Sequence, residues 1–269
     1  MKINTNLKNF KNKHKKRINQ IIYYKENLKN EFVIENLLDN FLAEKNSFVF
    51  ESVEKGKIRG RYTIFGKKPD KIWELTKNKI LVKNEKKITI IKKSPYKFLK
   101  KLLGEFKFDT PRDLPPICSL LAGVFSYDII RYVEKIPDKT LDDLTLPDIR
   151  ILRPTSLIIH DNLKKKIYYI VNCYYDQKII NYEIKFNQIK NELHMLKKYS
   201  GKKIKFINRF NITKKNNEIK SNTKKNVFKK MVLKAKQYIK NGDIFQVVLS
   251  QRFESKLTKK PLEIYKKLR

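Results

Sequence analysis

Side chains that commonly bind metal ions or move protons are few in this sequence, and no spacing brings them together. The three histidines are His14, His160 and His194. None has the spacing of a metal-ligand motif, which favours a core or surface position for each. The acidic pair at 142–143 and Asp148 could suggest magnesium, but acidic residues around a Leu-Pro turn are usually solvated. The residues alone therefore predict no metal centre.

Two further pairs are read as structural. Asp128 and Arg131 are spaced to meet on one helical face as an ion pair. Cys118 and Cys173 lie far apart and outside any CxxC spacing, which predicts reduced, buried thiols in a cytoplasmic protein.

No stretch of the sequence approaches about 18 uninterrupted apolar residues, and no apolar segment follows the lysine-rich start. Membrane insertion and secretion are therefore disfavoured.

The net charge of +36 points first to nucleic acid, because phosphate contacts need many cations. However, 53 of the basic residues are Lys and only 10 are Arg, with Lys and Asn spread along the whole chain. Arg is the residue suited to bidentate contacts with phosphate and guanine. The shortage of Arg argues against nucleic-acid binding as the main function. The charge pattern is better explained by compositional drift in an AT-rich coding sequence.

The apolar periodicity predicts a mixed α/β chain. Helices are predicted over Glu31–Ala43, Tyr96–Leu103, Gln177–Tyr199, from Lys224 to a stop at Asn241-Gly242, and from Pro261 onward. Strands are predicted over Ser47–Val53, Arg61–Gly66, Ile72–Leu75, Ile80–Val82, Ile88–Ile91, Ile117–Tyr127, Thr155–His160, Ile167–Tyr174 and Asp243–Glu254. The turn-forming pair Asp161-Asn162 makes the strands on either side of it a hairpin. Changes in composition along the chain predict a basic N-terminal extension (1–30), a first domain (31–196), a polar linker (197–223) and the start of a second domain (224–269).

Three segments, in order along the chain, resemble the large component of anthranilate synthase, within the chorismate-utilising enzymes. The segment 241–253, NGDIFQVVLSQRF, is similar to the helix end and strand that open the family's chorismate-binding domain. The segments 49–52 (VFES) and 60–66 (GRYTIFG) are similar to its Leu-Leu-Glu-Ser and Gly-Arg-Tyr-Ser motifs. The segment 123–137 is similar to its Gly-Tyr-Phe-x-Tyr-Asp-x-x-Arg run, with Leu-Pro-Asp at 146–148. The resemblance covers nearly the whole chain.

The resemblance implies an α/β sandwich of β-sheets with helices outside, of which this chain holds the N-terminal domain (31–196) and the start of the chorismate-binding domain (224–269). It implies conversion of chorismate and ammonia to anthranilate and pyruvate, with Mg²⁺ assisting. The implied partner is a glutamine amidotransferase that supplies the ammonia. The family's magnesium carboxylates and catalytic His would lie beyond Arg269, so we expect the chain to be truncated and inactive alone. The alternatives are a non-catalytic remnant that binds tryptophan or a partner, and a component of aminodeoxychorismate synthase.

By the same resemblance, Ser52 belongs to a feedback site for tryptophan, with Glu51 and Phe50 beside it. A hydroxyl, strand-end backbone groups and a carboxylate can bind the carboxylate and ammonium of a free amino acid. The simpler interpretation is a polar strand end that enters a loop. Val49 and Phe50 depart from the family's two leucines, and the family's second half of the pocket would follow Arg269.

Gln246 is the second residue that the resemblance singles out. Relatives that add water to chorismate have a Lys at this position, which acts as the base. An amide cannot act as a base near neutral pH, whereas unprotonated ammonia is already a nucleophile. Gln246 therefore favours an amination enzyme, and the alternative is a glutamine satisfied within a buried sheet.

Overall fold

The computed structural model describes residues 2–28, 34–51, 60–77, 79–84, 87–138, 141–201 and 218–269. The chain divides into two compact units, Met1–Lys205 and Phe206–Arg269. The helices are α1 (Leu7–Lys15), α2 (Glu35–Phe41), α3 (Pro95–Glu105), α4 (Tyr182–Gly201), α5 (Lys225–Lys240) and α6 (Pro261–Leu268), with a 3₁₀ helix over Tyr127–Tyr132. The strands are β1 (Gln20–Asn27), β2 (Phe48–Phe50), β3 (Tyr62–Thr76), β4 (Lys79–Lys83), β5 (Ile88–Lys92), β6 (Ala122–Phe125), β7 (Ile149–Asp161), β8 (Lys166–Cys173), β9 (Lys220–Ser221) and β10 (Phe253–Glu254).

The first unit is built on one antiparallel sheet. Its strand order is β1-β8-β7-β3-β4-β5, with β2 paired to β3 and β6 paired to β7. The long strands β3 and β7 pair along most of their length, with one irregularity in β3 between Pro69 and Lys71. This irregularity lets a single strand contain both predicted strands, Arg61–Gly66 and Ile72–Leu75. Together with its helices, the sheet confirms the predicted α/β class.

Both faces of the sheet are covered. On one face, α1, α2 and α4 pack against the sheet. The Phe10 ring of α1 contacts Phe186 of α4, and the Phe41 ring of α2 contacts Phe65 of β3, each with 5.5 Å between ring centroids. On the other face, α3 and the segment that follows it enclose two apolar clusters. The buried residues of these clusters are Ile21, Leu114, Cys118, Leu157, Ile159, Tyr168 and Ile170, and Trp73, Leu75, Ile80, Ile149 and Ile151. Apolar residues on alternate positions thus bury both faces of the central strands.

The segment 1–30, predicted as a basic extension, contributes α1 and the sheet strand β1. Strand β1 pairs with β8 from Gln20 opposite Cys173 to Asn27 opposite Lys166. Its first residues are buried, so the sheet includes this part of the chain. The hairpin predicted on either side of Asp161-Asn162 is confirmed as β7 and β8.

The prediction of one buried strand over Ile117–Tyr127 is wrong. A turn occupies the start of the run, where the Cys118 amide donates to the Pro115 carbonyl (3.1 Å). Only Ala122–Phe125 forms a strand, β6, and within the described residues its backbone pairs with β7 alone. Its last three residues are exposed, because a strand paired on one side and uncovered on one face buries little of its apolar surface.

The second unit contains α5, α6 and the short pair β9–β10. Helix α5 ends as predicted, since Gly242 has a positive φ of 80° and its amide donates to the Ile239 carbonyl (3.1 Å). The strand predicted over Asp243–Glu254 is wrong except for Phe253–Glu254. A strand needs a backbone partner, and within the described residues only Lys220–Ser221 pairs with this segment.

Candidate ligand site at the end of strand β2

Phe50 and Glu51, two of the three predicted tryptophan-site residues, lie at the end of β2, beside the first half of β3. Phe48 pairs with Gly66 and Phe50 with Ile64. Gly66 allows the Phe48 ring to lie over the β3 backbone, because a Cβ at this position would come within 2.1 Å of that ring. The Phe48 and Phe50 rings contact each other with their centroids 4.8 Å apart. Strand β2 therefore has a fixed register against β3.

The start of β3 is held in turn by the β7–β8 turn. Arg61 donates two hydrogen bonds to the buried carboxylate of Asp161, Nε to Oδ1 at 3.0 Å and Nη2 to Oδ2 at 2.8 Å. The same carboxylate accepts from the backbone amides of Leu163 and Lys164 (both 3.0 Å). The Asn162 side chain donates to the Gly60 carbonyl (3.1 Å). The GRYTIFG segment is thus anchored at its first two residues, which fixes the strand beside β2.

The charges at this anchor are satisfied within the protein. Burial alone would raise the pKa of Asp161, but the hydrogen bonds from Arg61 and the turn amides outweigh it and hold the pKa below its usual value. Burial and the nearby Asp161 carboxylate raise the pKa of Tyr62. Burial lowers the pKa of His160 to about 4, with Lys165 acting in the same direction. His160 therefore remains neutral at physiological pH.

Of the three predicted tryptophan-site residues, two are in the described part of the chain. Phe50 leaves 46% of its surface exposed, so its ring offers an apolar surface to a ligand. Glu51 is half-buried at the end of β2. Ser52 lies outside the described residues. An exposed aromatic ring beside a carboxylate suits a ligand that has both a ring and an ammonium group, and the role of these residues stays a prediction.

Gln246 is exposed, in the segment of the second unit that forms no strand. Its neighbour Phe245 is 96% exposed. The alternative of a glutamine satisfied inside a buried sheet does not describe this position. Its predicted proximity to an active site stays a prediction.

The third motif, 123–137, has a structural role in the first unit. Gly123 lies against the β7 backbone, where a Cβ would come within 2.3 Å of the Arg150 carbonyl oxygen. Asp128 and Arg131 form the predicted ion pair (2.8 Å), and Arg131 also donates to the Pro137 carbonyl (2.7 Å). Asp148, considered above for magnesium, accepts hydrogen bonds from the Lys77 amide (2.9 Å) and from the Tyr132 hydroxyl (2.6 Å).

The remaining candidates are separated in space. His14 bonds to the Tyr182 hydroxyl and to the Gln177 carbonyl (both 3.1 Å), whereas His194 is exposed. Both cysteines are free and buried, and burial raises their pKa values. Within the ranges that the structure describes, no three His, Cys, Asp or Glu side chains converge on a possible metal ion. The magnesium implied by the resemblance therefore has no ligand set in that part of the chain.

Sequence reasoning missed the ion pair of Arg61 with Asp161. The two residues are 100 positions apart, and the only signal for Asp161 was its place in a turn-forming pair. The sequence marks Arg61 only as a member of the motif at 60–66. A search for a buried acid at the tip of a hairpin could have found half of the pair, but nothing local identifies its partner.

Comparisons with known proteins agree with this fold. A family model described as "chorismate binding enzyme" matches residues 46–269. The chain is 34% identical over 237 residues to "Anthranilate synthase component 1" of Acetivibrio thermocellus, which covers 87% of this chain and 48% of the relative. It is 30% identical over 273 residues to the protein of the same name from Cereibacter sphaeroides, which covers 98% of this chain and 54% of the relative. The chain thus spans about half the length of the curated relatives it matches.

Among solved structures, the chain is similar to the crystal structure of anthranilate synthase component I from Streptococcus pneumoniae TIGR4. The TM-score is 0.62 at 24% identity, and the match covers 91% of this chain and 53% of that chain. At this identity the likeness shows the fold, and it confirms the fold expected from the three motifs. Within the described residues, no helix is long and apolar enough to cross a membrane.

Proposed function

This chain belongs to the chorismate-binding enzyme family, and we propose that it is part of the large component of anthranilate synthase. In that role it acts on chorismate and ammonia, giving anthranilate, pyruvate and water in tryptophan biosynthesis. The observation that carries the proposal is its identity of 34% and 30% to two proteins named anthranilate synthase component 1. The proposed location is the cytoplasm. The proposed partner is a glutamine amidotransferase that releases the ammonia.

In the same proposal, the chain by itself forms no anthranilate. Its described residues offer no convergent set of carboxylates for Mg²⁺, and Gln246 lies on an exposed segment rather than in an enclosed site. An active centre needs groups fixed around the substrate and shielded from water. The missing groups are expected in the portion of the relatives that this chain does not cover.

The test is a reconstitution. The purified chain is mixed with chorismate, ammonium and Mg²⁺, with and without a second polypeptide that holds the portion of the Acetivibrio thermocellus relative that the chain does not cover. Anthranilate is followed by its fluorescence. We expect product only with both polypeptides. Anthranilate from the chain alone would contradict its inactivity, and aminodeoxychorismate as the product would contradict the proposed reaction.

Gln246 is proposed to favour amination over hydration, since its amide cannot activate water. In the reconstituted enzyme, Gln246→Lys would introduce a base, and we expect slower anthranilate formation together with an isomer of chorismate, formed when water instead of ammonia adds to the ring and the original ring hydroxyl leaves as water. Gln237→Lys, on α5, is the matched control and should leave the products unchanged. Identical products from wild type and Gln246→Lys would show that Gln246 has no part in nucleophile selection.

Phe50, Glu51 and Ser52 are proposed to bind tryptophan, the end product of the pathway, as a feedback inhibitor. The exposed Phe50 ring and the Glu51 carboxylate support this role. Calorimetry with L-tryptophan on the reconstituted enzyme tests it. Ser52→Ala should weaken binding at least tenfold, whereas Ser255→Ala, at an exposed position of the second unit, should not change it. Equal affinity in both variants would remove Ser52 from the site.

A further inference from the structure

A cavity of about 710 Å³ lies within the first unit, between α3 and the sheet. Ligand pockets commonly have volumes of about 300–1,000 Å³, so one small organic molecule would fit here. Its walls come from β3, β4 and β5, from α3 and from the segment that follows β8. It lies away from the predicted tryptophan site, because Trp73 is eight residues further along β3 than Phe65, about 25 Å at the strand rise per residue.

The inner wall of the cavity is aromatic. Phe98 and Phe106 line it with partly exposed rings, next to Trp73 and Tyr174, which are only 5% and 1% exposed, and to Val82, Ile91 and Leu102. Aromatic side chains offer flat apolar surfaces on which another ring can stack or pack edge to face. The shape and chemistry of this wall suit a ligand that has one flat ring.

The buried cation beside this wall is already neutralised. The Arg153 guanidinium lies 3.9 Å from the centroid of the Tyr174 ring and bonds to Asp70 (2.7 Å) and to Asp176 (2.8 Å). Lys71 makes a further ion pair with Asp176. Arg153 therefore stiffens the wall, and its charge is not available to a ligand.

Two exposed lysines that line the cavity have no acidic partner among the described residues. Lys93 and Lys97 line it, and within the described residues neither has a carboxylate oxygen within 4.0 Å, whereas Lys101 pairs with Glu105 (3.7 Å). Ser94 lies between them and makes no capping hydrogen bond with its side chain. Two ammonium groups and a hydroxyl at an apolar opening can receive one carboxylate.

The position of Lys97 strengthens this argument. It lies in the first turn of α3, which has no acidic residue, although the positive end of a helix dipole normally favours acids. The helix dipole weakly disfavours a cation there, as it does for the lysines in the first turns of α1 and α5. A bound carboxylate would offset both the helix dipole and the repulsion between the two lysines.

We propose that this cavity binds a small aromatic carboxylate, with its ring between Phe98 and Phe106, next to Trp73, and its carboxylate at Lys93 and Lys97. The inference does not rest on the proposed enzymatic function, since the cavity uses neither β2 nor Gln246.

The sequence provides a probe for this site, because Trp73 is its only tryptophan. The intact chain is titrated with benzoate at neutral pH and low salt while Trp73 emission is recorded. Benzamide serves as the neutral ligand of the same shape, and acetate as the anion without a ring. We expect a saturable change with benzoate and affinities at least tenfold weaker for the other two. No saturable change with benzoate, or equal binding of benzamide, would overturn the proposal.

Matched variants locate the anion contact. Lys93→Gln combined with Lys97→Gln should weaken benzoate binding at least tenfold and leave benzamide binding unchanged. Lys100→Gln, on the same helix but outside the cavity lining, should leave both affinities unchanged. Equal benzoate affinities in the two variants would contradict the proposed contact. The readout involves no chorismate turnover and no added tryptophan, so a failure here is distinguishable from a failure of the proposed enzymatic role.

Discussion

Strand β8 and the segment 243–252 have similar apolar sequences and opposite environments. Residues Ile167 to Cys173 of β8 are all buried, because the strand pairs with β1 on one side and with β7 on the other. In the segment 243–252, Phe245 and Val248 are 96% and 82% exposed. An apolar run therefore becomes a buried strand only where backbone partners and a covering layer are present. The segment 243–252 has the sequence of a central strand, and in the described part of the chain it lacks these neighbours.

The largest difference in the free energy of unfolding is expected between a Val→Ala substitution in β8 and the same substitution in the segment 243–252. Val171→Ala in β8 removes two methyl groups at a position that is 6% exposed and should lower the free energy of unfolding by about 2.5 kcal/mol. Val248→Ala should change it by less than about 0.5 kcal/mol. Urea unfolding followed by circular dichroism measures both. A cost at Val248 that equals the cost at Val171 would mean that the segment 243–252 is packed, and the comparison would fail.

The second-largest loss of stability is expected from a substitution in the turn that joins β7 to β8. Asp161→Ala removes four hydrogen bonds from a buried position and should lower the free energy of unfolding by about 2 kcal/mol. The control is Asp128→Ala, which removes an exposed pair with Arg131 and should cost at most about 1 kcal/mol. Unfolding at neutral pH compares the two variants. Equal costs would mean that the Asp161 carboxylate does not anchor the GRYTIFG segment.

Local signals account for most of what the sequence predicts correctly. The stop of α5 at Asn241-Gly242 needs only a residue that tolerates positive φ, and the hairpin around Asp161-Asn162 needs two apolar runs and a turn. The pairing of β1 with β8 could not be predicted, because it joins segments that are more than a hundred residues apart. The exposure of the segment 243–252 could not be predicted either, since its pattern does not say whether partners exist.

The candidate sites also divide into one that the sequence predicts and one that only the fold reveals. The family resemblance predicts Phe50, Glu51 and Ser52 as site residues, whereas the register of β2 against β3 is visible only in the structure. The cavity beside Trp73 has no local signature. Its lining comes from segments between Asn19 and Asp176 that only the folded sheet brings together.

A pH dependence of stability is expected from the β7–β8 hairpin, where His160 is buried. Burial lowers the folded-state pKa of His160 to about 4, below its ordinary 6.5. The stability it contributes is therefore complete above pH 6.5 and is lost as the pH falls towards 4. At pH 5.5 this loss is about 1.4 kcal/mol, since one pKa unit corresponds to about that energy. Urea unfolding at pH 7.5 and pH 5.5 should show this loss in wild type.

Variants separate His160 from the other titrating groups. His160→Phe should remove the extra loss of stability at pH 5.5, whereas His194→Gln, at an exposed position of α4, should retain it. An NMR titration of the His160 ring gives the pKa directly. A value near 6.5, or an unchanged pH dependence in His160→Phe, would contradict the burial of this side chain.

The smallest changes in stability are expected from Gly→Ala substitutions at two positions, one crowded by neighbouring backbone and one open. Gly123→Ala would bring a Cβ within 2.3 Å of the Arg150 carbonyl oxygen, so β6 must move away from β7, and we expect a loss of about 1 kcal/mol. Gly104→Ala, in the last turn of α3 with nothing within 4 Å, should stabilise the protein by about 0.5 kcal/mol. Thermal unfolding measures both changes. The opposite signs matter more than the sizes, because both substitutions reduce the freedom of the unfolded chain equally. If Gly123→Ala were also stabilising, β6 would not be held closely against β7, and motif 123–137 would lose its structural role.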